Sequence, residues 1–346
     1  MKAARFYRAG QPLKIETMPD PQPGPGEVVV AVRAAGICGT DLHIAVEGTV
    51  PTALQPITLG HEAAGVVAEV GEGVTEWQVG DRVCLMPHVP CGTCYYCTSG
   101  AEALCPRTQI LGLHFDGAFA EYIKIAAGAL VALPDNVPFE IGAILTDAVS
   151  TAYHAVTCRG NLQAGESVAV FGCGGVGHHG VMWARHQGAG QIIAVDVAPG
   201  ALARAKAAGA DETVDARQGN AAKQIRALTG RLGVDLALEF VGRAETVSEA
   251  LKSLRRSGRL VVVGVGPDRV TLPPLQVFVG LETALIGSMG FHRADLEMVI
   301  ELVASGEVEL GESVGRALPL SQLNDAFQLV AGQRGDAARV VVRLND

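Results

Sequence analysis

Between about residue 25 and residue 133 the hydrophobic positions come in short β-rich runs broken by turn residues, among them VVVAVRAA (28–35), GVVAEVG (65–71) and FAEYIKI (119–125). Runs of that kind predict an irregular, mostly antiparallel β domain with functional loops. Near residue 150 the rhythm changes. From Ser167 to about Gly287, apolar runs at SVAVF, QIIAVD, VDLALEF and RLVVVG alternate with amphipathic stretches through VMWARHQ, ALARAKAAGAD and AETVSEALKSLRR. Strands alternating with helices of about 10–15 residues predict a parallel sheet with helices on both faces. Gly209, following Ala207 and Ala208, suits a helix C-terminus. The remainder predicts helices around Ala294 to Ser305 and Leu320 to Ala331, then a terminal strand in ARVVVRL whose alternation implies a return to the first domain. The fold class is α/β plus β, with a discontinuous first domain (1–150 and 291–346) and a second over 151–290.

Composition narrows the classes. A chain of 346 residues exceeds what one core usually serves, and 49% hydrophobic against 18% charged residues excludes disorder as the default. No apolar run reaches the roughly 18 residues of a membrane span, so no membrane partner is expected. The formal net charge of −9 argues against nucleic acid, whose binding needs clustered Lys and Arg. The N-terminal MKAARFYRAG has no apolar h-region, which leads to the expectation of a reduced, cytoplasmic protein.

In the run CGTCYYCTSGAEALC, Cys91, Cys94, Cys97 and Cys105 are spaced C-x2-C-x2-C-x7-C in a lobe with hardly any aliphatic side chains. Such a lobe needs something other than a core to fold around. Four thiolates fit tetrahedral Zn²⁺, and a closed set of four leaves no open position, so this ion would be structural. A disulfide knot is the alternative, disfavoured by the missing export signal.

After SVAVF comes Gly172-Cys173-Gly174-Gly175-Val176-Gly177, opening a helix, and Asp196 stands at the end of the next strand. Strand, glycine turn, helix, strand and acid in that order fit a dinucleotide-binding fingerprint. The glycines let the backbone approach the pyrophosphate at the helix N-terminus, while the carboxylate accepts from ribose hydroxyls. A carboxylate there repels a 2′-phosphate, and no Arg occupies the next seven positions, so NAD is favoured over NADP.

Two further glycine-flanked turns, GICGTDLH (36–43) and GHEAAG (60–65), hold Cys38, Thr40, Asp41, His43, His61 and Glu62. A thiolate and an imidazole from separate loops are two of the three protein ligands a catalytic zinc needs. With GHE, the four-cysteine lobe, GxGGxG and DGAFAEY in this order, the sequence resembles the zinc-dependent medium-chain alcohol dehydrogenases over nearly its whole length. The resemblance implies a GroES-like catalytic domain (1–150 and 291–346) and a Rossmann domain (151–290). It implies Cys38 and His61 as zinc ligands, Asp147 in LTDAVSTAYH as the third, and Glu62 as a glutamate that can exchange onto the metal. Asp41 would orient the ligating histidine, and Thr40 and His43 would relay the proton. Val241, Val263, Val265 and Ser288 would line the cofactor site.

Implied cofactors are two zinc ions per chain, one catalytic and one structural, with NAD. The implied reaction is reversible hydride transfer between NAD and a hydrophobic or aromatic alcohol, the small-molecule partner. Polyol, threonine and formaldehyde dehydrogenases of the same superfamily share every residue named, and Leu85 to His88, Leu113, His114, Phe119 and Phe291 are candidate lining residues. A non-catalytic zinc redox sensor or interaction module would explain only the four-cysteine lobe. Relatives imply a homodimer or homotetramer, with the apolar LQVFVGL (275–281) as a candidate contact.

Overall fold

The computed structural model describes residues 1–332 and 338–345. These divide into two compact units, one of residues 1–150, 291–332 and 338–345, the other of residues 151–290.

In the first unit a seven-stranded sheet is built around Glu27–Gly36. Glu62–Val70 pairs antiparallel with it from Val28↔Val70 to Gly36↔Glu62, and Tyr122–Ala126 pairs with it from Glu27↔Ala126 to Ala31↔Tyr122. The strand Arg339–Arg343 pairs antiparallel with its end, Val341 opposite Gly36, and parallel with Val314–Pro319. The C-terminal segment therefore does return to this sheet. It does not alternate, because it lies inside the sheet with both faces covered, and Arg339 to Val342 are all buried. Among the described residues no helix is long and apolar enough to cross a membrane.

The second unit holds six parallel strands in the order Glu212–Asp215, Gln191–Asp196, Ser167–Phe171, Val234–Glu239, Leu254–Val262, Ala284–Gly287. Chain order reverses direction between Ser167–Phe171 and Val234–Glu239, and ligands of such sheets bind outside the strand C-termini at that switch point. Phe171, Ile193, Ile225, Val247, Leu254 and Leu260 share one core. The helix expected over AETVSEALKSLRR ends at Ser253, and Leu254-Arg255-Arg256 already belong to the next strand. Leu254 is drawn into the core beside Val234, and Arg255 is ion-paired with Asp235, which together outweigh the helical pattern of the side chains.

The helix Gly177–His186 carries two adjacent buried histidines in its first turn, ring centroids 3.8 Å apart. Burial pushes His178 down to about 4, and burial with the neighbouring ring pushes His179 well below the ordinary histidine range. The positive end of the helix dipole acts in the same direction. Unfolding lets both rings recover their ordinary basicity, so below pH about 6.5 the unfolded chain binds more protons than the folded one. Stability should fall as the pH drops from 6.5 toward 4, by about 1.4 kcal/mol per pH unit for each ring. Thermal denaturation across that window should show a smaller loss in His179→Leu than in the parent, and parallel curves would contradict the assignment.

Candidate active site

Four potential ligand atoms of Cys38, His61, Glu62 and Asp147 lie within 4.8 Å of one another in the first unit. They arrive by three routes. Cys38 caps the short helix Gly39–Leu42, where its backbone N–H donates to Asp41 Oδ2 at 2.9 Å. His61 and Glu62 stand at the start of the strand Glu62–Val70, and Asp147 lies in the π-helical turn Leu145–Val149. Cys38 Sγ is 3.1 Å and His61 Nε2 3.6 Å from Asp147 Oδ2. Ligands around a tetrahedral zinc at about 2.0–2.3 Å stand roughly 3.3–3.5 Å from one another, so these side chains fit the ion.

His61 faces Asp147 with Nε2 and Asp41 with Nδ1, the latter pair 3.7 Å apart, and both His61 and Asp41 are buried. Burial works against charging the ring, but Asp41 first, then Cys38 and Asp147, outweigh it and raise His61 well above the ordinary range. Such a concentration of negative groups around one imidazole is what a cation relieves.

Arg339 escaped the sequence reading. Its guanidinium, 5% exposed, is ion-paired with the fully buried Glu62 and stands 3.9 Å from Asp147. The carboxylate of Glu62 lies over Gly36, where an added Cβ would meet Oε2 at 2.0 Å, so glycine is required opposite it in the strand pair. Cys38, Glu62 and Asp147 carry three negative charges when ionised and Arg339 returns one. Two remain for a divalent cation. Only the pattern ARVVV was visible in sequence, and a strand pattern gives no signal that its first residue reaches a buried carboxylate.

Cys91, Cys94, Cys97 and Cys105 form a second converging set. Sγ of Cys94 is 3.4 Å from that of Cys97 and 3.7 Å from that of Cys105, and Cys91 is 3.8 Å from Cys97. Zn–S bonds of about 2.3 Å give tetrahedral sulfur separations of roughly 3.8 Å, so this cluster also fits the metal. All eight cysteines are unpaired by disulfides. Backbone N–H groups, Thr93 foremost, bring the Cys91 thiol down to about 5, and Arg107 Nη2 donates to its sulfur at 3.0 Å.

In the second unit Gly172 adopts φ +83°, and a Cβ on Gly177 would meet the Gly172 carbonyl oxygen at 1.7 Å. Gly174, Gly175 and Val176 complete the turn between strand and helix. Asp196 accepts from the backbone N–H of Cys173 at 2.7 Å and from those of Val197 and Ala198 at 2.7 and 2.9 Å. Those bonds fix its carboxylate beside the glycine turn. Val241, Val263, Val265 and Ser288 all follow strand C-termini of the same sheet.

Other expected residues fall elsewhere. Phe119 and Phe291 are fully buried, and Phe119 packs edge-to-face on Phe327 and against Gly60, which makes it core rather than pocket lining. His114 takes a hydrogen bond from the Ile110 N–H. Cys84 is core, bonded to the Gly142 carbonyl, and Cys173 is likewise buried.

Residues 24–135 match the family described as alcohol dehydrogenase GroES-like domain, and residues 175–305 that described as zinc-binding dehydrogenase. An alcohol dehydrogenase of Geobacillus stearothermophilus is 37% identical over 100% of both chains. A sorbitol dehydrogenase of Bacillus subtilis (strain 168) is 36% identical over 100% of this chain and 98% of its own. Among solved structures, the alcohol dehydrogenase TADH from Thermus sp. ATN1 superposes with a TM-score of 0.92 at 34% identity, covering 100% of both chains. Fold and matched residues together define a zinc-binding dehydrogenase, an oxidoreductase of GroES-like and Rossmann-type architecture. The chain belongs to the zinc-dependent medium-chain alcohol dehydrogenase family.

Arg339→Leu should leave Glu62 as an unpaired buried charge and cost about 3–5 kcal/mol, whereas the double variant with Glu62→Gln should recover much of that loss. Thermal denaturation of the four proteins gives the coupling. Losses that simply add would show that the pair does not hold the site.

Proposed function

We propose that this protein is an NAD-dependent zinc alcohol dehydrogenase that reversibly oxidises hydrophobic or aromatic primary and secondary alcohols to aldehydes or ketones. The observation that carries the reading is the convergence of Cys38, His61 and Asp147, with Glu62 beside them, in a chain whose second unit presents a dinucleotide turn. When bound, zinc acts as a Lewis acid on the substrate oxygen and NAD accepts the hydride.

The chain's own residues place and protect these groups. Cys38, His61 and Asp147 would hold the catalytic ion, while Asp41 Oδ1, facing His61 Nδ1 across 3.7 Å, would favour the tautomer with its hydrogen on Nδ1 and leave Nε2 for the metal. Arg339 holds Glu62, the candidate exchange ligand, against its guanidinium. Thr40, whose hydroxyl lies 3.8 Å from Cys38 Sγ, and His43 would pass the alcohol proton outward. Asp196 would accept from the adenosine ribose, and the four-cysteine loop would carry a second, structural zinc.

The hydrophobic-alcohol reading draws its support from the alcohol dehydrogenase relatives, because Leu85 and Met86 beside the ligands are buried as Phe119 is. The sorbitol dehydrogenase is as similar as the alcohol dehydrogenase, which keeps a polyol-, threonine- or formaldehyde-type activity as the second reading. NADH fluorescence against a panel of primary, secondary, aromatic and polyol substrates separates the two. We place the protein in the cytoplasm as a homodimer or homotetramer. The helix Leu275–Leu281 leaves Leu275 74% and Val279 70% exposed beside the edge strand Ala284–Gly287, a surface suited to a second copy.

Metal analysis tests the ligand assignment. Cys105→Ser should lose one zinc per chain and melt lower while the catalytic ion stays. Asp147→Asn should lose the other zinc or most activity, because a neutral amide is a weak ligand in a carboxylate's place. If Asp147→Asn keeps two zincs and normal turnover while Cys158→Ser loses one, the third ligand is the cysteine.

A further inference from the structure

His43 opens the π-helical turn His43–Glu47, which Gly48 closes in the left-handed region at φ 66°. Four residues along, Glu47 Oε2 lies 2.8 Å from His43 Nδ1. An ionised carboxylate only accepts, so Nδ1 carries a hydrogen and the neutral ring keeps its lone pair on Nε2. Thr49 braces the turn. Its N–H donates to the His43 carbonyl at 2.9 Å, and its hydroxyl lies within 3.3 Å of that carbonyl and 3.5 Å of Glu47 Oε2.

Side chains of His43 and Glu47 are 39% and 28% exposed, and an ion pair that open contributes little to stability. Its effect is orientation. A histidine free to choose its tautomer presents a lone pair on either nitrogen, whereas a relay terminus needs the lone pair toward the incoming proton and a path to water. The pair commits Nδ1 to Glu47 and so reserves the Nε2 lone pair for the proton, on a side chain that is itself 39% exposed.

We propose that Glu47 is a positioning residue for proton release, holding His43 in the Nδ1–H tautomer so that Nε2 takes up the alcohol proton and returns it to water or buffer. The proposal rests on His43 being the relay terminus. Proton count balances, since one proton enters at Nε2, one leaves from Nε2, and the Nδ1 hydrogen stays with Glu47 throughout.

The test uses Glu47→Gln in the full, zinc-loaded protein, because glutamine keeps the size but can both donate and accept. Long-range ¹H–¹⁵N spectra of histidine-labelled protein, with His43→Gln assigning the signal, should show neutral His43 protonated on Nδ1 in the parent and on both nitrogens in the variant. Alcohol oxidation in dilute buffer should slow roughly three- to tenfold, a fraction of the 10²–10⁴ typical of general acid–base groups, with KM for NAD unchanged and the rate restored by added imidazole. A parent ring protonated on Nε2, or a variant with unchanged tautomer and rate, overturns the proposal. A loss equal in every buffer indicates a merely structural contact and also overturns it. If His43→Gln itself turns over like the parent, the relay reading has failed, and the tautomer result then describes a surface pair without a catalytic task.

Discussion

The Cys38 thiol and the carboxylates of Asp41, Glu62 and Asp147 crowd one imidazole, with a single guanidinium beside them. Ionised groups removed from water cost several kcal/mol each unless they are paired, and Arg339 meets Glu62 directly and Asp147 at 3.9 Å. The excess of negative charge is the constraint on which this site is arranged. It explains why Gly36 stands opposite Glu62, why Asp41 spends one oxygen on the Cys38 amide and points the other toward His61, and why Arg339 opens a strand paired beside Gly36. A divalent cation completes that arrangement.

The second unit solves a different problem with backbone rather than charge. Gly172 turns the chain at a positive φ, Gly177 lets the helix start against the turn, and Asp196 is pinned by three amide N–H groups at the edge of the same crevice. Its three bonds leave the carboxylate room for a further donor, the pattern a ribose hydroxyl would use.

Much of this was legible in the sequence because the signals are local. The four cysteines and the glycine turn lie within short stretches, so spacing alone brings their atoms together. Cys38, His61 and Asp147 are far apart in the chain and became a set only through resemblance to a family. Arg339 gave no signal, since its partner is 277 residues away and its own neighbours read as an ordinary strand. The helix end at Ser253 was hidden by a helical pattern that core burial of Leu254 overrides, and Phe119 was expected to line the pocket because a β-rich run does not mark which of its aromatics is buried.

X-ray absorption at the zinc edge of the purified protein tests the central claim most directly. With Cys38 and the four clustered thiolates shared between two ions, five sulfurs over two zincs give an average of 2.5 sulfur neighbours per zinc at about 2.3 Å, the rest nitrogen and oxygen near 2.0 Å. Two zincs per chain with that average would support the account. A single zinc with four sulfurs, or an average of three sulfurs per zinc from a further cysteine in place of Asp147, would contradict it.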